Sequence, residues 1–324
     1  MAKRDPIEQT LSTIAALRSS GKSPESLAAL RKALSNKSNL VVAKAAQVAQ
    51  ELGASELADD MIKAFPRFME NPTSTDKGCA AKTTIAKALY EMGRDAADVF
   101  LPGVRHRQFE ASWGKPVDTA SELRSVSALG LVRMGYRDVL VELADLLADE
   151  DPMARITAAR AFAYAEQPEG VLPLRVKALS RDKEPQVTGE CLSALIRLSP
   201  LKSLKFVEQF LDDSDEAVRE AALIALGESR QDGAFDILRE RWDTNFHISH
   251  RKPLLTAIAL LRTARAIEFV LEIIRAGHPG TATAAIEAMR IYRHDSTLRE
   301  KIREAVGTSA DAELSRVFEK NFGT

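Results

Sequence analysis

The sequence predicts an all-α protein, a right-handed α-solenoid (alpha-alpha superhelix) of about eight stacked helical hairpins. Three observations carry that expectation. A stretch of helical grammar recurs along the chain, no alternating run of β-branched residues bounded by turn chemistry occurs, and strand signals are therefore absent. At 324 residues the chain also exceeds the roughly 250–300 at which one compact core stops growing. With 45% hydrophobic but only 6% aromatic residues, small and aliphatic side chains must do most of the packing, as they do between closely spaced helices.

The clearest unit runs Phe210-Leu211-Asp212-Asp213-Ser214-Asp215-Glu216-Ala217-Val218-Arg219 and on through Ala221-Ala222 to Gly227. The same pattern stands 64 residues upstream, from Leu146 to Ala159, with Asp151 and Arg155 falling on Asp215 and Arg219. A copy midway runs from Leu179 through Val187 to Leu195, with Thr188 in place of the arginine. Weaker copies lie at Leu34–Gly53, Thr83–Gly93, Leu123–Gly135, Leu254–Leu261 and Thr281–Met289. In each unit a first helix ends in paired aliphatics and an acidic or polar turn follows. Proline or an acid then opens a second helix, where caps and the macrodipole favour such residues. Gly227 is expected to close its helix. One hairpin cannot bury its own apolar face, so the units should stack into a curved rod roughly 80 Å long, second helices inward.

This grammar resembles the HEAT repeats, and in particular the bacterial subtype first noted in phycobilin lyases. The resemblance is clearest from Leu146 to Gly227. It implies that the turn aspartate and the second-helix arginine, here Asp151 with Arg155 and Asp215 with Arg219, tie adjacent repeats together, a tie that Thr188 puts in doubt for the copy between them.

The expected organisation is a single array: a cap helix in 1–24, repeats over 25–293, and cap helices in 294–324. Two irregular segments, 102–118 and 241–253, interrupt it. The first reads Pro102-Gly103-Val104-Arg105-His106-Arg107-Gln108-Phe109-Glu110-Ala111-Ser112-Trp113-Gly114-Lys115-Pro116-Val117, too long for a turn and too apolar for a free linker. Both tryptophans, Trp113 and Trp242, fall one in each segment, with His106, His247 and His250. Such residues either plug gaps where the repeat register is lost or anchor a partner, since aromatic and arginine side chains dominate binding hot spots. On the second reading the contacts are Arg105, His106, Arg107, Trp113, Lys115, Trp242, His247, His250 and Arg251.

No catalytic or metal site is expected, and no cofactor. Ala16 through Ser23 fits a relaxed phosphate loop, but a helix precedes it and alanine holds the first glycine position, so Ser23-Pro24 reads as a cap and first-turn proline. Asp243, His247 and His250 would share one face of a continuous helix, but a junction between helices is expected there. The acidic clusters at 149–151 and 212–216 lack the glycine and terminal glutamate of a calcium loop and read as caps. Cys79 and Cys191 are expected as buried, inert thiols within alanine-rich helices, which suits a reducing cytoplasm. No run approaches a membrane span.

The formal net charge is −1, divided as 19 Lys and Arg against 15 Asp and Glu over residues 1–135 (net +4) and 26 against 31 over 136–324 (net −5). Neither balance favours non-specific nucleic-acid binding. The leading expectation is a non-enzymatic scaffold that binds another protein or peptide segment along its concave face and irregular loops. A nucleic-acid reading follows from similarity to the HEAT-like alkylpurine DNA glycosylases. It would use Lys82, Lys87, Arg124, Arg155 and Arg219 on phosphates, with Trp113 and Asp118, or Trp242 and Asp243, at the base. A bilin lyase or chaperone is implied by the repeat subtype alone.

Overall fold

The computed structural model describes residues 6–244, 248–276, 278–308 and 311–323, with Ile248–His250 described in their backbone alone. The chain forms two compact units, Met1–Glu166 and Gln167–Thr324. Unit 1 contains the helices α1 (Pro6–Ser20), α2 (Pro24–Leu34), α3 (Asn39–Glu51), α4 (Ala58–Ala64), α5 (Pro66–Met69), α6 (Pro72–Thr75), α7 (Ala80–Glu91), α8 (Ala97–Arg105), α9 (Ser121–Arg133), α10 (Val139–Leu147) and α11 (Pro152–Ala165). Unit 2 contains α12 (Val171–Ser180), α13 (Pro185–Leu198), α14 (Pro200–Glu208), α15 (Glu216–Glu228), α16 (Asp232–Thr244), α17 (Ile248–Leu260), α18 (Ala264–Ala276), α19 (Pro279–Ala288), α20 (Ser296–Gly307) and α21 (Ala312–Phe322).

Each unit is an α-solenoid stack. In unit 1 the second helices α3, α7, α9 and α11 lie side by side, α1 packs on α3, and α2, α4, α8 and α10 each pack on a second helix. In unit 2 the stack is α13, α15, α17, α19 and α21, backed by α12, α14, α16, α18 and α20. The eight expected hairpins are those that end in α3 through α19. In the second hairpin from the N-terminus, Pro66 and Pro72 interrupt the first helix as α4, α5 and α6, because proline has no N–H to continue the helical hydrogen bonds.

Small residues let helices approach closely, both within a hairpin and between second helices. A Cβ on Gly130 of α9 would stand 2.7 Å from the Phe100 ring, and one on Gly227 of α15 would stand 2.6 Å from the Ala257 carbonyl of α17. Gly227 therefore does not close its helix as expected. It sits inside α15, which runs to Glu228, and the left-handed position falls to Arg230 (φ 54°). Where glycine does end a helix, as Gly53 after α3 (φ 61°), the next residue's N–H reaches back to the helix (Ala54 N to Ala49 O, 2.8 Å), satisfying a terminal carbonyl.

One device opens the second helices. The side-chain oxygen of Asn36, Asp118, Asp149, Asp182 and Asp213 accepts the backbone N–H two residues on, from Ser38, Ala120, Asp151, Glu184 and Asp215 (2.8–3.0 Å), each the residue just before its helix. This Asx turn fixes the entry angle of α3, α9, α11, α13 and α15. It also leaves Asp151 and Asp215 out of the expected tie between repeats. Asp151 and Asp215 cap their own helices, accepting from Met153 N and Ala154 N and from Ala217 N. Arg155 and Arg219 donate to carbonyls of their own turns, Asp149 and Glu150 (2.8 Å each) and Asp213 and Ser214 (2.8 and 3.2 Å). Among the acids that do reach the preceding hairpin are Asp149, bonded by Arg124, and Asp213, bonded by Arg181, each two residues before the capping aspartate.

The cysteines divide. Cys191 lies buried inside α13, whereas Cys79 ends a short 3-10 turn, Lys77–Cys79, with a left-handed backbone (φ 54°) just before α7, and both thiols are free. Burial pushes the Cys79 thiol up to about 11 and that of Cys191 to about 12. Among the described residues, no helix is long and apolar enough to cross a membrane.

Candidate interaction site

The irregular segment after α8 begins at His106, since α8 continues to Arg105. It folds as a β-ribbon, an exception to the expected absence of strands: β1 (Phe109–Glu110) pairs antiparallel with β2 (Val117–Asp118), Phe109 opposite Asp118 and Glu110 opposite Val117. A six-residue tip from Ala111 to Pro116 joins them, closed by Ser112 Oγ donating to the Lys115 carbonyl (2.6 Å).

The base of the ribbon is locked into unit 1 by buried charge. Lys82 of α7, fully buried, donates to the Phe68 carbonyl and to Gln108 Oε1 (2.8 Å each) and stands 3.3 Å from Asp76. Asp76, equally buried, accepts from the backbone N–H groups of Ala81 (2.8 Å) and Lys82 (3.0 Å). Gln108 Nε2 donates to the Asp76 carbonyl and to Glu110, which also accepts from Gly78 N and Thr119 Oγ1. On the other side, Arg124 of α9 donates to Asp149 twice (2.8 and 3.0 Å), to the His106 carbonyl (2.9 Å), and pairs with Asp118 (2.7 Å). Burial pushes the Asp118 carboxyl up. The backbone N–H groups of Gln108 and Ala120 and the Arg124 guanidinium outweigh it and hold the group below the usual carboxylate range.

Such a network fixes geometry more than it adds stability. The desolvation cost of buried ions roughly cancels their attraction, while loss of one partner strands the other charge. The ribbon is thus bonded throughout its root and open at its tip.

The nine expected contact residues fall in different environments. Trp113, at the tip, is as exposed as in an isolated peptide (109% of reference), and Phe109 and Val117 of the two strands are also exposed. Lys115 is exposed as well. Arg105 makes a two-pronged pair with the buried Glu142 (Nε to Oε2, 2.8 Å), and Arg107 bonds Asp149 (2.7 Å). His106 is half-buried with Nε2 3.3 Å from Gln108 Oε1, and burial lowers its pKa.

Trp242, by contrast, is buried (8% exposed) at the end of α16, edge-on to Phe269 of α18 at 5.9 Å. The Arg251 guanidinium covers its ring at 4.5 Å. These two residues fill a packing site in unit 2. His247 lies outside the described residues, and so does the side chain of His250. Helices occupy 241–244 and 248–253, leaving only 245–247 between them. Asp243, the carboxylate of the metal pattern set aside above, is paired with Arg239 (3.0 Å).

Residues 172–248 match the HEAT-repeat family. The match covers most of α12 to α16 and includes the clearest sequence unit. No curated protein matches the chain. Among solved structures, human deoxyhypusine hydroxylase in complex with glycerol is similar at 16% identity and a TM-score of 0.31, over 80% of this chain and 91% of that one. A likeness that loose carries no chemistry to this chain.

Proposed function

We propose that the chain is a non-enzymatic HEAT-repeat scaffold that binds another protein, with the β-ribbon as its main contact. One observation carries this reading: a tryptophan held fully in solvent at the tip of a ribbon whose root is fixed by buried ions. Leaving a large aromatic exposed forgoes a burial worth about 2–3 kcal/mol, while the charged root keeps the tip from collapsing onto the helices. Phe109 and Val117 add exposed apolar surface, one on each face of the ribbon, and Lys115 gives the tip a polar edge.

The nucleic-acid reading draws less support. Lys82 and Arg124 face inward and are consumed by carboxylates and carbonyls, and Arg155 is buried against its own turn. The phycobilin-lyase subtype would be a narrower placement within the scaffold reading. Buried free thiols fit the reducing cytoplasm proposed as the site of action.

A photo-crosslinking residue at position 111 in the full chain, in the tip beside the retained Trp113, is expected to capture one partner protein from the source cells, and the same residue at an exposed site on α1, such as Gln9, is not. Trp113→Ala should abolish recovery of that partner by affinity capture. Undiminished recovery with this variant would refute the ribbon as the contact.

A further inference from the structure

In unit 2 a trough runs across the open face of α15, α17 and α19. Its main part has a volume of 710 Å³ and its extension toward α16 a volume of 340 Å³, and the two share Glu220, Leu223 and Pro253. The floor is apolar: Leu223, Ile224, Pro253, Ala257, Leu260 and Ala284. Ile224 is nearly half exposed there.

The charges around it are unevenly committed. Lys252 pairs with Glu287 (2.7 Å), and Arg241 grips both oxygens of Asp212 (2.6 and 2.7 Å). Arg219 is held by the carbonyls of its own turn while keeping its charge, and Asp213 is held by Arg181 (2.8 Å). Glu216 and Glu220 line the same trough and have neither a hydrogen bond nor an ion pair from their side chains among the described residues. One turn apart on α15, they lie on one side of that helix. The trough thus joins an apolar floor to two unanswered carboxylates.

We propose that this trough docks a basic amphipathic segment of a partner protein, which lays apolar side chains on the floor and sets lysine or arginine against Glu216 and Glu220. The proposal rests on the scaffold reading but not on the ribbon. A purely apolar ligand would leave both carboxylates to be desolvated without compensation, and a nucleic-acid backbone would meet its own charge.

The test is fluorescence anisotropy of the full chain with a fluorescein-labelled amphipathic peptide of Leu, Ala and Arg, beside a control in which Glu replaces Arg. The arginine peptide should bind, and binding should weaken with salt. Glu216→Gln/Glu220→Gln should weaken it about three- to tenfold, as expected for two exposed ion pairs. Ile224→Arg should weaken it further, and Trp113→Ala should leave it unchanged. Circular dichroism of each variant checks that the fold is intact. Equal binding of both peptides, indifference to the double glutamine variant, or no binding at all would overturn the trough as a basic-segment site. None of those results would touch capture through Trp113, so the two proposals fail separately.

Discussion

Arg124 and Asp149 meet in a two-pronged ion pair, Nε to Oδ2 at 2.8 Å and Nη2 to Oδ1 at 3.0 Å, with both side chains withdrawn from solvent. The pair joins α9 to the turn before α11, and through the His106 carbonyl and Asp118 it also clamps the root of the ribbon. Asp149→Ala removes the acid and leaves a buried guanidinium short of partners. It should cost about 3–5 kcal/mol. Replacing both residues with apolar ones of similar volume, Arg124→Met with Asp149→Leu, should cost clearly less. Urea denaturation followed by circular dichroism measures both, and a double variant as unstable as Asp149→Ala would argue that the stranded charge is not the cause.

The two tryptophans should behave oppositely. Trp242→Ala empties a packed site against Phe269 and is expected to cost about 3–5 kcal/mol, whereas Trp113→Ala should change stability by no more than about 0.5 kcal/mol. In single-tryptophan variants made with phenylalanine, iodide should quench Trp113 strongly and Trp242 weakly. Equal quenching would contradict their placement.

Ser127 Oγ is buried without a hydrogen-bond partner among the described residues. Ser127→Ala removes that unanswered hydroxyl and should stabilise the chain by about 1 kcal/mol in thermal unfolding. A loss of stability would show that the hydroxyl is bonded.

The thiols give a pH dependence with a definite sign. Both have folded-state values raised by burial, to about 11 for Cys79 and about 12 for Cys191, against roughly 8.5 when unfolded. A raised pKa favours the folded state fully below the unfolded value. That contribution is lost as pH rises from about 8.5 toward the folded values, because the unfolded thiols ionise first. Replacing both cysteines with alanine should therefore flatten the alkaline fall in stability measured by urea denaturation. At pH 8 a thiol-reactive dye should label the native chain slowly and the denatured chain at once. Fast native labelling would place a thiol at the surface.

The hairpins were legible in the sequence because their signals are local: capping aspartates, first-turn prolines and aliphatics at helical spacing report on a few neighbouring residues. Gly227 misled for the opposite reason. It looks like a helix terminator, but the approach of α17 requires it, and that is a contact between hairpins. The ion network was likewise hidden, since Lys82, Gln108, Arg124 and Asp149 come from separate elements. A partial signal existed, because Arg124 stands at the fourth position of α9 just as Arg155 and Arg219 do in α11 and α15. The tryptophans were found but not distinguished. Burial depends on what packs above a residue, and nothing near Trp242 in sequence announces Phe269.

The ribbon is a rooted, ordered element with a free tip. Hydrogen exchange of the backbone amides of the intact chain tests this directly. The amides of Gln108, Thr119 and Ala120, bonded to Asp118 and to the Gln108 carbonyl, should exchange as slowly as the interiors of α7 and α9, while those from Ala111 to Lys115 exchange quickly. Root amides that exchange at the rate of an unstructured peptide, with the helices still protected, would contradict it.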